Sequence, residues 1–462
     1  MALHDGTAGR MTVAPATGTP ARGGVAVAAR PARLADPGQV PLRPPVAAPG
    51  PWRLTGRPAL YLLASLIVAL LAASAAPTPL YAIYQARWHF TPITTTVVFG
   101  VYAVAVLASL LTLGKLSDHI GRRPVLLAAL AVQAASLLVF TTAGGVPELL
   151  IARVVQGLAT GAALGAISAG LLDVDRQRGT FANAIAPGMG TGSGVLLSAL
   201  AVRYLPDPTH LIYLALAGVI ALQAAGVALM RETVTRKPGA IASLRPEIRL
   251  PRTLRGPVLT AVPVLFAVWS LGGLYAALGP SLVHALTGSD NVVLGGLSLF
   301  VLTLTAVLAI IVLRGTGART VMLTGILALI TGAAVTMAAM RIASTPLFFA
   351  GTAISGVGFG SGFQGSLRTV VPQAAAHERA GVLSLLYIVS YLGLGVPAVA
   401  AGFLIVHGVG LTDTTLYYGA AVILLAGLAL PGLLGSRTRA VGRPAAREAA
   451  GMAPVPCERA QR

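Results

Sequence analysis

Between residues 58 and 435 the chain is a succession of long apolar runs, at 58–84, 93–113, 123–143, 147–172, 181–203, 209–230, 257–280, 291–313, 320–340, 346–367, 381–406 and 414–435. A bilayer's hydrocarbon core takes about 20 helical residues to cross. Backbone amides cannot stay unpaired there, so runs of this length are expected as spanning α-helices. The run 181–203 is the least distinct, because Gly is dense in it. Composition agrees: 55% of residues are hydrophobic and 10% charged, against roughly 25% charged in an ordinary soluble domain. That leaves too little polar surface to keep so large a globule in water.

The net charge is +19, a value that in other settings suggests nucleic acid. Here the basic residues sit in tails and short loops between apolar runs rather than on one folded face, so no nucleic-acid partner is expected. With both tails cytoplasmic, 29 of the 33 Lys and Arg residues fall on that side; Arg87, Arg203 and Arg341 lie outside, and Arg153 lies within a span. This alternation follows the positive-inside rule for twelve spans. Residues 1–56 and 436–462, rich in Pro, Gly, Ala and Arg, read as disordered cytoplasmic tails. The longest interval between spans, 231–256, is basic and divides the rest into six spans (57–230) and six more (257–435), which suggests two related six-helix bundles around a central route. It reads first as an orientation-fixing linker, and it can also lie on anionic lipid heads. The lone Cys457 excludes an intrachain disulfide. The scattered His residues offer no metal cluster, and neither a nucleophile–base set nor a phosphate-binding loop occurs, so no enzyme, cofactor or metal is expected.

Spans two and three are joined by Gly114-Lys115-Leu116-Ser117-Asp118-His119-Ile120-Gly121-Arg122-Arg123-Pro124. Gly114 and Gly121 allow a tight reversal. Asp118 places an anion beside Arg122 and Arg123 at the membrane edge, where it can pair with Arg or accept from helix-start N–H groups. The plainer reading is a turn with topogenic charges. The segment closely resembles the loop signature of the major facilitator superfamily, G-x-L-[SA]-D-x-x-G-R-[RK]-P, at the expected place between spans two and three. By this resemblance the chain is identified as a twelve-span, efflux-type member. It implies an all-α integral membrane fold of twelve transmembrane helices in two pseudo-symmetric six-helix bundles.

The resemblance also implies that Asp118 clips the first half to the start of span eleven, near Arg379–Val382, in the outward-facing state, with Gly114, Gly121, Arg122 and Arg123 completing a state-switching loop. The equivalent loop of the second half, Arg314-Gly315-Thr316-Gly317-Ala318-Arg319, lacks the aspartate. Span four carries Arg153-Val154-Val155-Gln156-Gly157, similar to the family's R-x-x-Q-G. Arg153 lies about 9 Å in from the outer end of its helix. A buried cation must face a cavity or a partner, and the family places this arginine toward the pathway, in substrate binding or proton coupling. Snorkelling or bonding to neighbouring carbonyls is the alternative. Gly157, Gly161 and Gly165 read as a packing row. Span five, Pro187-Gly188-Met189-Gly190-Thr191-Gly192-Ser193-Gly194, matches the exporters' Gly-rich signature only in part, since it lacks their G-P pair.

Spans one, four, seven and ten wall the pathway in that family. On these, Tyr81, Trp269, Phe359, Phe363 and Gln364 are candidate cavity residues, with Tyr84 and Tyr275 nearby; packing or an interfacial aromatic belt is the competing role. None of the 14 acids falls at mid-span, so coupling is left to Asp118, Glu148 or a water near Arg153, or is absent. The expected function is secondary transport of a small amphipathic or apolar solute across the plasma membrane by a monomer in the lipid bilayer. Proton-coupled efflux of a drug or metabolite by antiport follows by family analogy. A facilitator or importer of sugars or other metabolites, and a non-transporting sensor or scaffold, stay open.

Overall fold

The apolar runs become helices because only intra-segment hydrogen bonds can satisfy their backbone out of water. In the computed structural model, which describes residues 53–433 apart from Arg249 and Ala376, they form α1 (Arg57–Trp88), α2 (Pro92–Leu113), α3 (Arg122–Thr141), α4 (Val146–Val174), α5 (Arg176–Tyr204) and α6 (Pro208–Leu229). After the linker come α7 (Arg255–Thr287), α8 (Val292–Val312), α9 (Ala318–Arg341), α10 (Thr345–Val370), α11 (Arg379–Leu404) and α12 (Leu411–Leu428). The helix expected to be hardest to read, α5, is among the longest. The tails, with Cys457, fall almost wholly outside the described residues.

Helix starts follow local chemistry. Pro92, Pro147, Pro208 and Pro346 occupy the first turns of α2, α4, α6 and α10, where a missing N–H costs nothing. Asp175 caps α5 by accepting from Arg178 N at 2.9 Å, and Asn291 caps α8 by accepting from Val293 N at 3.0 Å. Among the described residues, eleven helical stretches are long and apolar enough to cross a membrane; α10 is not among them, because Gly, Ser, Gln364 and Arg368 dilute its apolar residues. It packs among α7, α8 and α9. Large apolar side chains point outward, among them Leu222, Leu259 and Leu424, which suits a lipid surround.

Two cores result. One joins buried residues of the first six helices, such as Leu63, Leu126, Phe140 and Tyr213. The other joins the last six, including Leu271, Met322 and Phe348, and recruits Ala75, Phe99, Ala103 and Val195 from the first set. The two sets meet where α2 crosses α11 and α5 crosses α8. A Cβ on Gly100 would stand 3.0 Å from Val399, and one on Gly296 would stand 2.8 Å from Ala199. These meetings lie at mid-depth and toward the face opposite the linker. On the linker face, Leu54 pairs with the chain at Leu229–Arg231 (Leu54 N to Leu229 O, 2.9 Å).

Candidate functional site

Helix α1 is interrupted where Pro77 and Pro79 follow Ala76. Proline lacks an N–H, so Pro77 deprives the carbonyl four residues earlier, that of Ala73, of its helical partner. Side chains from other helices fill the gap. Gln156 Nε2 donates to Ala73 O at 3.1 Å, Arg153 Nη1 donates to Ser74 O at 2.9 Å, and Ser198 Oγ donates to Ala76 O at 2.6 Å.

Arg153 is 1% exposed. Its Nε and Nη2 donate to Tyr81 Oη at 3.0 and 2.7 Å, and its Nη1 also donates to Gln156 Oε1 at 2.7 Å. Its Cζ lies 5.2 to 5.7 Å from the ring centres of Tyr81, Tyr102 and Phe140, giving cation–π contact on several sides. Tyr102 Oη in turn donates to Ser74 Oγ at 2.8 Å. Among the described residues no carboxylate forms an ion pair with Arg153. The guanidinium is therefore met by neutral acceptors and ring faces inside the first six helices. Tyr81, read from sequence as a cavity residue, is buried with its hydroxyl occupied by Arg153 and does not line an opening here. Tyr84 and Tyr275 are likewise packed inside: Tyr84 stacks on Trp88 at 4.7 Å, and Tyr275 hydrogen-bonds Thr352 at 2.9 Å. Gly157 and Gly161 press on α2, where a Cβ on either would lie 2.6 Å from Ala105 or Ser109.

The other candidates gather on the last six helices. Trp269 of α7 stands 6.0 Å from Phe359 and 5.7 Å from Phe363 of α10, and 5.5 Å from Tyr391 of α11, ring centre to ring centre. All four rings are half-buried, and so is Gln364, whose side chain has no hydrogen-bond partner among the described residues. Trp269 Nε1 is buried without a partner among the described residues, an unmet donor in an apolar setting. Gly272 admits the Phe359 ring, since a Cβ there would be 2.8 Å from it. Tyr391 is not among the candidates read from the sequence; its ring completes the group because α11 packs against α7. Tyr391 lies one and two turns before Gly395 and Val399, which meet Ala103 and Gly100 of α2, so it sits on the face of α11 turned toward the first six helices.

The loop between α2 and α3 forms one helical turn, Ser117–Ile120. Arg122 is its hub: Nη1 donates to Asp118 and, at 2.7 Å, to Ser117 Oγ, while Nε donates to Asp173 Oδ2 at 3.1 Å. Glu232 of the linker caps α3, accepting from Arg122 N at 2.8 Å and Arg123 N at 2.9 Å. Gly121 is required twice. Its φ of +105° is costly for any side chain, and a Cβ there would lie 2.6 Å from Glu232. A Cβ on Gly165 would be 3.0 Å from Gly114, so these two let α2 and α4 close up. Lys115 pairs with Glu247 at 2.7 Å. Asp118 is half-exposed and is not at the start of α11, where Arg379 Nε donates to Ala374 O at 3.1 Å. Neither Glu232 nor Glu247 was singled out from sequence; a linker acid carries no local signal of the helix it will cap.

Residues 61–316, more than half of the chain, match the family model described as Major Facilitator Superfamily. The fold resembles the crystal structure of the nucleoside transporter NupG, with a TM-score of 0.56 at 16% identity over 82% of this chain and 98% of that one. A mutant form of NupG gives 0.59 at 14% identity, covering 82% and 99%. The human organic anion transporter MFSD10 (TETRAN) gives 0.59 at 17%, covering 81% and 99%. At these identities the likeness is one of fold.

Proposed function

Because this chain belongs to the major facilitator superfamily, we propose that it is a secondary transporter moving a small amphipathic or apolar solute by alternating access, as a proton-coupled exporter of the plasma membrane with both termini cytoplasmic. The half-buried ring group of Trp269, Phe359, Phe363 and Tyr391, facing the first six helices, carries this reading. Apolar walls with few polar groups suit a solute that leaves water readily. The two sets of helices touch through mid-depth and the face opposite the linker, while Asp118 stands half-exposed on the linker face. That pattern fits the state open toward the linker. In the other state the loop would close on α11, and each solute would cross by an exchange of the two contacts.

Arg153 supports the reading as an organiser. It holds the broken segment of α1 at Ser74 O, and the Ser74 hydroxyl in turn accepts from Tyr102. Coupling is assigned to Asp118, the acid carried by the loop that closes on α11.

Proteoliposomes holding the purified chain, offered a panel of amphipathic solutes together with nucleosides and organic anions, with and without an imposed pH gradient, provide the test. Gradient-driven movement of an amphipathic solute, weakened by Trp269→Ala, is the expected result. Transport of a substrate that ignores both the gradient and Trp269→Ala would overturn coupled export through this site.

A further inference from the structure

A depression of about 300 Å³ opens where α3 begins on the linker face, walled by Ile120, Arg123, Pro124 and Leu127 and, across from them, by Glu232 and Arg236 of the linker. It lies apart from the aromatic group and from Arg153. Its two guanidiniums have no side-chain partner among the described residues, because the neighbouring acids are already engaged. Asp118 and Asp173 hold Arg122. Glu232 turns its oxygens to the backbone N–H groups of Arg122 and Arg123, at 2.8 and 2.9 Å. Two cations against one anion leave a surplus positive charge.

Depth and shape narrow the occupant. Arg122 is the first residue of an apolar span, so the depression sits where that span leaves hydrocarbon. Leu127 lies roughly one turn deeper than Arg123, about 6 Å at 1.5 Å per residue. Pro124 and Leu127 are half-buried and present an apolar wall below the two arginines. A free phosphate in water would gain nothing from that wall. We propose that the depression binds the headgroup of an anionic glycerophospholipid, its phosphate between Arg123 and Arg236 and the first part of an acyl chain against Pro124 and Leu127. Fork-shaped guanidiniums suit a phosphate, and basic residues at this depth attract anionic lipid. Since Arg123 belongs to the loop and Arg236 to the linker, the bound lipid ties one to the other and favours the state in which the linker rests on the loop.

Native mass spectrometry of the full chain in detergent tests the site, using phosphatidylglycerol and phosphatidylcholine of matched acyl chains. One tightly retained phosphatidylglycerol is expected, with phosphatidylcholine lost first. Arg236→Gln should weaken retention about fivefold or more, while Arg245→Gln, at an exposed linker residue outside the depression, should not. Arg236 is exposed, and an unchanged melting temperature in phosphatidylcholine confirms that the variant is folded. Equal losses in both variants would reduce the site to diffuse charge and overturn it. Equal retention of the two lipids would overturn the anionic specificity. Displacement of phosphatidylglycerol by equimolar glycerophosphoglycerol, which has no acyl chains, would overturn the lipid in favour of a soluble phosphate.

Discussion

A guanidinium within a lipid-embedded bundle is costly unless every donor is met. Arg153 places four of its five N–H groups on Tyr81, Ser74 and Gln156 and sets its plane among three aromatic rings, and the break at Pro77 opens α1 to these side chains. Lysine donates from a single atom and cannot span three acceptors on two helices. Arg153→Lys is therefore expected to lower both transport and the melting temperature, and Arg153→Ala to abolish transport. Tyr81→Phe removes the acceptor of two of these bonds and should cost about 1–3 kcal/mol, read as a lower melting temperature in detergent. An unchanged midpoint would mean that Arg153 finds another partner. Asp118→Asn should cut transport while expression stays near normal, since Arg122 keeps Ser117 and Asp173; undiminished transport in vesicles would count against a switching role. Asp207, in the connection between α5 and α6, is held below the ordinary carboxylate range, chiefly by its hydrogen bond from His210. A depressed carboxylate contributes above its unfolded pKa and loses that contribution only as pH falls through the lower folded value. Asp207→Asn should accordingly leave the neutral-range pH profile of transport unaltered.

Helices in lipid gain little from hydrophobic burial against each other, so close approach at small residues supplies much of their cohesion. Gly157 and Gly161 give α4 that approach to α2 within one set of helices, whereas Gly100 and Gly402 give it to α2 and α11 between sets. The two positions should respond differently. Gly157→Val overpacks a permanent contact and is expected to destabilise by about 1–3 kcal/mol, seen in thermal unfolding. Gly100→Val wedges a contact that opens and closes during transport. It should shift the population toward the state open opposite the linker, measured as greater thiol labelling of cysteines placed on that face after Cys457→Ser. Labelling unchanged from the parent would mean that this crossing does not govern the equilibrium. Most span limits were legible to within a few residues because apolar length is a local property, whereas α7 runs seven residues past its expected end and α5 begins five before its expected start. That α10 is diluted by Gly and Ser, yet sits among α7, α8 and α9, shows that a helix shielded by its neighbours can be less apolar than one facing lipid.

At the scale of the whole molecule, twelve helices in two cores leave the ends of the described chain, Arg53 and Leu433, on the linker face. An even number of crossings and the distribution of Lys and Arg together make that face the cytoplasmic one in the proposed orientation. Tags at the two termini should be reached by an impermeant reagent only after the membrane of intact cells is broken.

The number of helices, their approximate places, the six-plus-six division and the loop that carries the family resemblance followed from the chain's own order of residues, since apolar run length, charge placement and turn chemistry act over short separations. The contacts that give those residues work did not. A helix that is apolar on every side has no pattern to mark which face meets a neighbour. Only the packing of distant segments could seat Arg153 on Tyr81 and Ser74, add Tyr391 to the rings around Trp269, and bring Glu232 across more than a hundred residues to cap α3.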